Sequence, residues 1–373
     1  MAATAIFARR LGTSVKDAGA KKGSGWFGPH MAAASQAILE RIPMVDLTIE
    51  IRDSRIPFSS AYGDLDHLPS SSRRMIVLNK MDLADRSQTK KWVKHFEEQN
   101  CICYAVNSHN KDNIKELLLF IQAQIREIKG NQSNYTATAM LVGIPNVGKS
   151  AISNSLHQIG RISAAEKGKL KHAVISPFPG ETKDISSFKI ASHPNIYILD
   201  TPGVLASKSL DVEMGSKLAL TGAIEDYLVG EYELAQYFLA ILHSSDDYKH
   251  WEKLCTTEND RSPIDHTEKL SVSSDSDKRR QKQYSTDHTQ DFIVRDVRQA
   301  LFKTISSFNG NLETEKEMMG LIEAQFAVLH EAFRVLPESG EDGCRRVATK
   351  LLNLYRTGRL GHYTLDPVPR NFQ

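Results

Sequence analysis

Four cysteines in 373 residues are too few for a disulfide scaffold, and the one close pair, Cys101 and Cys103, has a C-x-C spacing that fits no usual zinc site. The chain reads as one suited to a reducing compartment, without a metal–thiolate centre. Long apolar runs are missing too. The longest are short stretches such as Y-F-L-A-I-L at residues 237–242, well below the roughly 18–20 residues that a spanning helix needs. Net charge is almost absent, with 47 Lys and Arg against 45 Asp and Glu, so any contact with nucleic acid has to come from local patches. What is present is ordinary globular material, 40% hydrophobic and 25% charged. Its length suits two domains, or one domain with a large appendage.

Charge is unevenly placed at the start. In the first 25 residues Arg9, Arg10, Lys16, Lys21 and Lys22 meet a single acid, Asp17. Small apolar and hydroxyl residues lie between them, the composition of a mitochondrial presequence or of a disordered basic N-terminus. A secretory signal is disfavoured because the apolar residues 2–8 precede the arginines.

From residue 31 to 42 the spacing predicts a helix, and Val45 to Ile51 alternates as a strand running into Arg52-Asp53-Ser54-Arg55. Strands follow at 74–78, 102–106, 139–142, 185–190 and 196–199, with amphipathic helices at 86–99 and 114–128. Such alternation predicts an α/β fold, a mostly parallel sheet with helices on both faces and ligands beyond the carboxyl ends of its strands. After Asp200 the pattern turns helical, at 213–221, 231–243, 291–306, 313–335 and 341–357. The domain reading is therefore a presequence at 1–25, an α/β domain at 26–243, a flexible polar insert at 244–290 without structure of its own, and a small all-helical domain at 291–373.

Gly143-Ile-Pro-Asn-Val-Gly-Lys-Ser150 matches G-x-x-x-x-G-K-[ST] between a strand and a helix, where backbone amides can wrap a phosphate. Chance yields the pattern roughly once in 26,000 positions. Lys149 suits neutralisation of terminal phosphates and Ser150 a magnesium ligand. Asp200-Thr-Pro-Gly203 ends an apolar strand, placing a carboxylate for magnesium and a glycine amide for the outermost phosphate. Asn79-Lys-Met-Asp82 is a surface turn or a base site. In the second reading its buried carboxylate accepts from guanine N1–H and the 2-amino group, a donor pair that adenine lacks.

In ordinary small GTPases the phosphate loop comes first, whereas here Asn79 to Asp82 precedes Gly143 to Ser150, which precedes Asp200. That circularly permuted order resembles the YlqF/RbgA-type GTPases, over about residues 24–243 and the C-terminal helices. Asp53-Ser54-Arg55 is similar to that family's D-A-R signature with Ser for Ala, and Trp26-Phe-Gly-Pro-His-Met31 to its W-F-P-G-H-M with Pro and Gly exchanged. With the presequence-like start, the resemblance extends to the family's mitochondrial ribosome-associated members of the plant type.

The resemblance implies a P-loop NTPase fold and GTP hydrolysis coupled to assembly of the mitochondrial large ribosomal subunit. It implies a monomer of the matrix that touches rRNA and associates peripherally with the inner membrane. It implies magnesium held by Ser150, Thr182 and Asp200, and potassium helped into place by Asn146. It implies a nucleotide held by Asn79, Lys80, Asp82, Asn107, Ser108, Asn146, Val147, Gly148, Lys149, Ser150, Ala151 and Gly203. Thr182, in Pro179-Gly-Glu-Thr-Lys183, matches the switch threonine, and Asn107-Ser108 stands for the family's Ser-Ala loop. Val204 occupies the place where many GTPases carry a water-orienting glutamine. Catalysis then falls to Asn146, Thr182 and His30, although His30 reads equally as a helix cap or surface residue. Val204 also keeps open a GTP-dependent binding switch or scaffold without productive turnover. Basic clusters at Glu166–His172 and at Arg345, Arg346, Lys350, Arg356 and Arg359 are solvated faces or RNA contacts.

Overall fold

The protein is seen here as a computed structural model. It describes residues 2–20, 29–63, 65, 73–130, 135–163, 184–205, 211–245, 247–256, 288–336 and 340–369. They fall into two compact units, one of residues 7–237, 356–358 and 362–373, the other of residues 1–6, 238–355 and 359–361.

The larger unit is built on a six-stranded sheet, β1 (Leu47–Asp53), β2 (Arg74–Asn79), β3 (Ile102–Ala105), β4 (Thr136–Val142), β5 (Ser186–Ser192) and β6 (Asn195–Asp200), in the order β3-β2-β1-β4-β6-β5. All pairings are parallel except the β5–β6 hairpin. Parallel pairing brings the carboxyl ends of β1, β2, β4 and β6 to one edge, which carries Asp53, Asn79, Gly143 and Asp200.

Strand β1 is buried along its entire length, yet its sequence alternates. Ile49 and Ile51 supply one face, while Thr48, Glu50 and Arg52 supply the other and are buried as well. Such a face survives only if its charges pair. Glu50 accepts from Arg52 Nε at 2.9 Å, Arg52 Nη2 at 3.0 Å, Arg74 Nε at 3.0 Å and the Tyr62 amide at 2.8 Å. Burial works to raise the Glu50 pKa, but the two guanidiniums outweigh it and hold it below the ordinary carboxylate value.

Helices α2 (Pro29–Arg41), α3 (Arg86–Glu98), α4 (Lys111–Lys129) and α5 (Lys149–Ser163) accompany the sheet. Proline at the first helical position of α2 costs no hydrogen bond and has the required φ. Asp85 caps α3 by accepting from the Gln88 amide at 2.7 Å, and Asn110 caps α4. Trp92 and Phe96 of α3 pack on Ile76, Leu78 and Cys103, while Ile38 of α2 and Ile42 pack on Met140 and Val142. Each such fully buried side chain contributes about 1.5–3 kcal/mol relative to exposure.

Residues 2–20, expected as a presequence, form helix α1 (Ala2–Ala20). Phe7, Leu11, Val15 and Ala18 are buried, an i, i+4, i+8, i+11 stripe that composition alone does not reveal. Against it lies α6 (Val212–Leu220): a Cβ on Gly12 would stand 1.8 Å from the Val212 carbonyl oxygen, and Gly215 faces Val15.

Five α-helices are described beyond residue 230, namely α7 (Glu231–Ser244), α8 (Glu252–Thr256), α9 (His288–Ser307), α10 (Glu315–Ala332) and α11 (Gly340–Arg356), with a 3-10 turn at Asp247–Trp251 between α7 and α8. That turn and α8 correct the expectation of a structureless insert from 244: Trp251 is buried and anchors the start of the segment, while residues 257–287 lie outside the described ones. The smaller unit has an apolar core including Val297, Leu301, Leu321, Ile322, Leu329, Val347 and Leu351. Residues 362–369 belong to the sheet-containing unit, not to the C-terminal helices as the sequence had suggested. Asp366 explains why. Its buried carboxylate accepts from the Phe58 and Ser59 amides at 2.8 and 2.7 Å and from Lys217 Nζ at 3.1 Å. Among the described residues no helix is long and apolar enough to cross a membrane.

Candidate nucleotide site

The loop from β4 to α5 has the shape its glycines permit. Gly143, Asn146 and Gly148 have φ of 150°, 59° and 95°, the half of the map where a Cβ is costly and glycine or asparagine is tolerated. Gly148 also lacks room for anything larger, since a Cβ would stand 2.2 Å from Asn79 Nδ2.

Asn79, at the end of β2, is fully buried and acts as a strut. Its Nδ2 donates to the Val147 carbonyl at 2.8 Å, and its Oδ1 accepts from the Ser108 amide at 3.1 Å. One amide thereby ties together the G-x-x-x-x-G-K-S loop, the N-K-x-D segment and the Asn107-Ser108 turn. The next residue extends the tie, because Lys80 Nζ donates to the Asn146 carbonyl and to Asp53 Oδ2. Ser108 is held in turn by Ser155 Oγ, which donates to its carbonyl at 3.0 Å. Asp82 is exposed. The carboxylate expected as buried thus faces solvent, and its burial would come with whatever base covers it.

On the β6 side, Asp200 is fully buried, and among the described residues no hydrogen bond of good geometry reaches either carboxylate oxygen. Burial raises its pKa, only partly offset by the neighbouring Ser150 hydroxyl and Lys149 ammonium. A buried carboxylate lacking strong donors beside a hydroxyl is a donor set that suits a hard divalent cation such as magnesium. Lys149 is itself buried and folds back on its own loop, donating to the Gly143 and Ile144 carbonyls at 3.1 and 2.8 Å. Burial pulls its pKa down to about 8, Asp200 opposing this and Lys80 adding to it. An ammonium destabilised in this way gains from any anion that reaches it. Gly203 lies so near the loop that a Cβ would come within 2.6 Å of Pro145 Cα and 3.1 Å of Lys149 Nζ.

Val204 is fully buried and packs with Ile38, Tyr62, Met140 and Val142. It is a core residue at the point where a water-orienting side chain was sought, and this accounts for its apolar character. Asn146 donates from Nδ2 to the Gly222 carbonyl at 2.7 Å. His30 lies in the first turn of α2 by its backbone. Thr182, the Pro179–Lys183 segment, the Glu166–His172 cluster and Trp26 to Gly28 lie outside the described residues.

Structure divides the C-terminal basic cluster. Arg345, Arg346 and Lys350 are exposed, whereas Arg356 caps α6, donating to the Ala219 and Leu220 carbonyls at 3.0 Å each and to both Asp226 oxygens at 2.7 Å. Its expected place among RNA-facing residues is corrected accordingly, because half-burial and four bonds commit it to the fold. Sequence reasoning also left Asp53, Arg55 and Asp366 without a task. D-S-R at a strand end was a signal for the first two, and nothing in spacing pointed to the third.

Comparison with known proteins identifies the family. Residues 138–264 match the family model described as 50S ribosome-binding GTPase. The chain is 58% identical over 364 residues to DAR GTPase 2, mitochondrial, of Arabidopsis thaliana, covering 97% of this chain and 95% of that one. It is 42% identical to Short integuments 2, mitochondrial, of the same plant, covering 92% and 89%. Similarity to ribosome biogenesis GTPase A of Bacillus cereus is 32% over 58% of this chain and 71% of that one. With identity sustained over nearly its full length, and with a base motif that precedes its phosphate loop, the chain belongs to the circularly permuted GTPases of the YlqF/RbgA type.

Proposed function

We propose that this GTPase spends GTP on assembly of the mitochondrial large ribosomal subunit, acting as a monomer in the matrix on a precursor particle and its rRNA, with peripheral contact to the inner membrane. The observation that carries the site reading is the Asn79 strut, since a single buried amide bonds both the loop expected to hold phosphate and the turn expected to support guanine. Relatives named as mitochondrial and as ribosome biogenesis GTPases support the cellular setting.

In this reading Asp82 accepts the two guanine donors, with Lys80, Asn107 and Ser108 framing the base. The amides of Asn146 to Ala151 and of Gly203 hold the phosphates at the start of α5. Lys149 exchanges two loop carbonyls for phosphate oxygens, which restores its full charge. Ser150, Asp200 and Thr182 would hold magnesium, which when bound supplies positive charge against that developing on the phosphoryl group. Asn146 fits potassium through its carboxamide oxygen, its nitrogen being committed to Gly222. Asn146, Thr182 and His30 serve hydrolysis, a task that buried Val204 cannot perform.

The test is GTP turnover by purified protein in potassium against sodium, with and without mitochondrial large subunits. Stimulation by both supports the proposal. The burial of Val204 favours a second reading, a GTP-dependent binding switch or scaffold, and guanine nucleotide binding without turnover under any condition would select it.

A further inference from the structure

The D-S-R segment is where the structure offers more than the motifs announce. Asp53 is the last residue of β1 and is buried, and its carboxylate accepts from the Arg55 amide at 3.0 Å, Arg55 Nε at 3.0 Å, Arg55 Nη2 at 2.7 Å and Lys80 Nζ at 3.0 Å. Burial works to raise its pKa, but Arg55 and Lys80 overcome this and hold it far below the ordinary carboxylate range. Arg55, equally buried, extends Nη2 to the Thr221 carbonyl at 3.3 Å. The adjoining carbonyl, that of Gly222, is the one taken by the Asn146 side chain, while the Asn146 backbone carbonyl is held by Lys80.

These contacts form a closed circuit. It runs from Asp53 to Lys80, to Asn146, across to Gly222 and Thr221, and back through Arg55 to Asp53. It joins the base motif, the phosphate loop and the turn that ends α6, whose Gly222 has a φ of 84° that favours glycine. Asp53 and Arg55 lie behind the loop, bonded to Lys80 and Thr221. Paired charges in a low-dielectric setting make a stiff frame, and stiffness on one side of a loop limits how its other side can be oriented.

We propose that Asp53 and Arg55 are positioning residues for GTP hydrolysis, fixing Lys80 and the Thr221-Gly222 turn so that Asn146, gripped between them, presents one orientation to the phosphates. This rests on the reading of Gly143 to Ser150 as the phosphate loop. The circuit treats Arg55 and Asn146 as one unit, so their effects on the chemical step are coupled.

The experiment is a double-mutant cycle in the full chain with Arg55→Met, Asn146→Ala and the pair. It reads GDP stoichiometry and Kd by fluorescent-nucleotide titration, and kcat per nucleotide-binding site. Arg55→Met is expected to lower kcat per site by about tenfold, with the GDP Kd moving less than about threefold. The double variant should be no slower than the slower single variant. Arg55→Lys, which keeps the cation but not the two-pronged reach, should fall between wild type and Arg55→Met, and it serves the same test if the methionine variant does not fold. Losses that multiply in the double variant would overturn the proposal. So would an Arg55 effect that vanishes once turnover is divided by bound nucleotide, which is the mark of a purely structural role. Failure of the wild-type protein to bind GDP would instead strike at the site reading beneath it.

Discussion

Two buried charge clusters lie on the same strand three residues apart, and they differ in what they are connected to. Glu50, with Arg52 and Arg74, sits in the middle of β1, where its charged partners come from β1 and β2. Asp53, with Arg55 and Lys80, sits at the strand's carboxyl end, where its partners continue into the Asn146 carbonyl and the turn after α6. Their electrostatics are alike: both carboxylates are held below the ordinary range by guanidinium neighbours despite burial. Position in a parallel sheet, more than chemistry, makes one cluster a matter of stability and gives the other access to the site.

The largest effect belongs to the inner cluster. Glu50→Gln should leave two arginines facing an uncharged amide and cost about 3–5 kcal/mol of stability, read by denaturant titration. Turnover per bound nucleotide should remain at the wild-type level, and a selective loss of turnover would erase the contrast with Asp53. Next comes Gly148→Ala, where a positive φ and a Cβ 2.2 Å from Asn79 Nδ2 combine. The Asn79 strut has to yield, and GDP affinity should fall at least about tenfold, a loss of about 1.4 kcal/mol. Unchanged affinity by calorimetry would mean that the strut does not shape the loop.

A gentler effect comes from Lys149. Its pKa in the folded protein, about 8, lies below its ordinary value of 10.5. Between the two the unfolded chain binds more protons, so the nucleotide-free protein should gain stability as pH rises through that window. Phosphate reverses the preference. Nucleotide affinity should therefore weaken above pH 8, with proton uptake on binding visible in calorimetry across buffers of different ionisation enthalpy. The smallest effect concerns Ser54, fully buried between Asp53 and Arg55, whose hydroxyl has no hydrogen-bond partner among the described residues. Ser54→Ala, which restores the alanine of the D-A-R signature, should stabilise by about 1 kcal/mol and leave turnover unaltered; destabilisation would reveal a bond for that hydroxyl.

Much of this was legible in sequence because periodicity and motif chemistry are local. The strands at 74–79 and 102–105 and the helix at 86–98 lie within a residue or two of where the patterns put them. Asn79 and Lys149 sit at strand and helix ends as their motifs require. Less legible was whatever depends on distant partners. Arg356 reads as one more cation on a basic helix until Asp226, 130 residues away, appears beside it. Asp366 looks like a tail residue until Lys217 does the same. Helix α1 was obscured for another reason. Its basic, small-residue composition matches a targeting segment, while the stripe of Phe7, Leu11 and Val15 that packs it is a matter of phase.

The central claim, three separated segments gathered on one guanine nucleotide, is tested most directly by calorimetric titration of wild type and Asp82→Asn with GDP, xanthosine diphosphate and ADP in magnesium. The account predicts that the wild type prefers GDP and ignores ADP, and that the variant shifts toward xanthosine diphosphate, whose C2 oxygen can accept from the new amide. Equal binding of ADP and GDP by the wild type, or an unchanged preference in the variant, would contradict it.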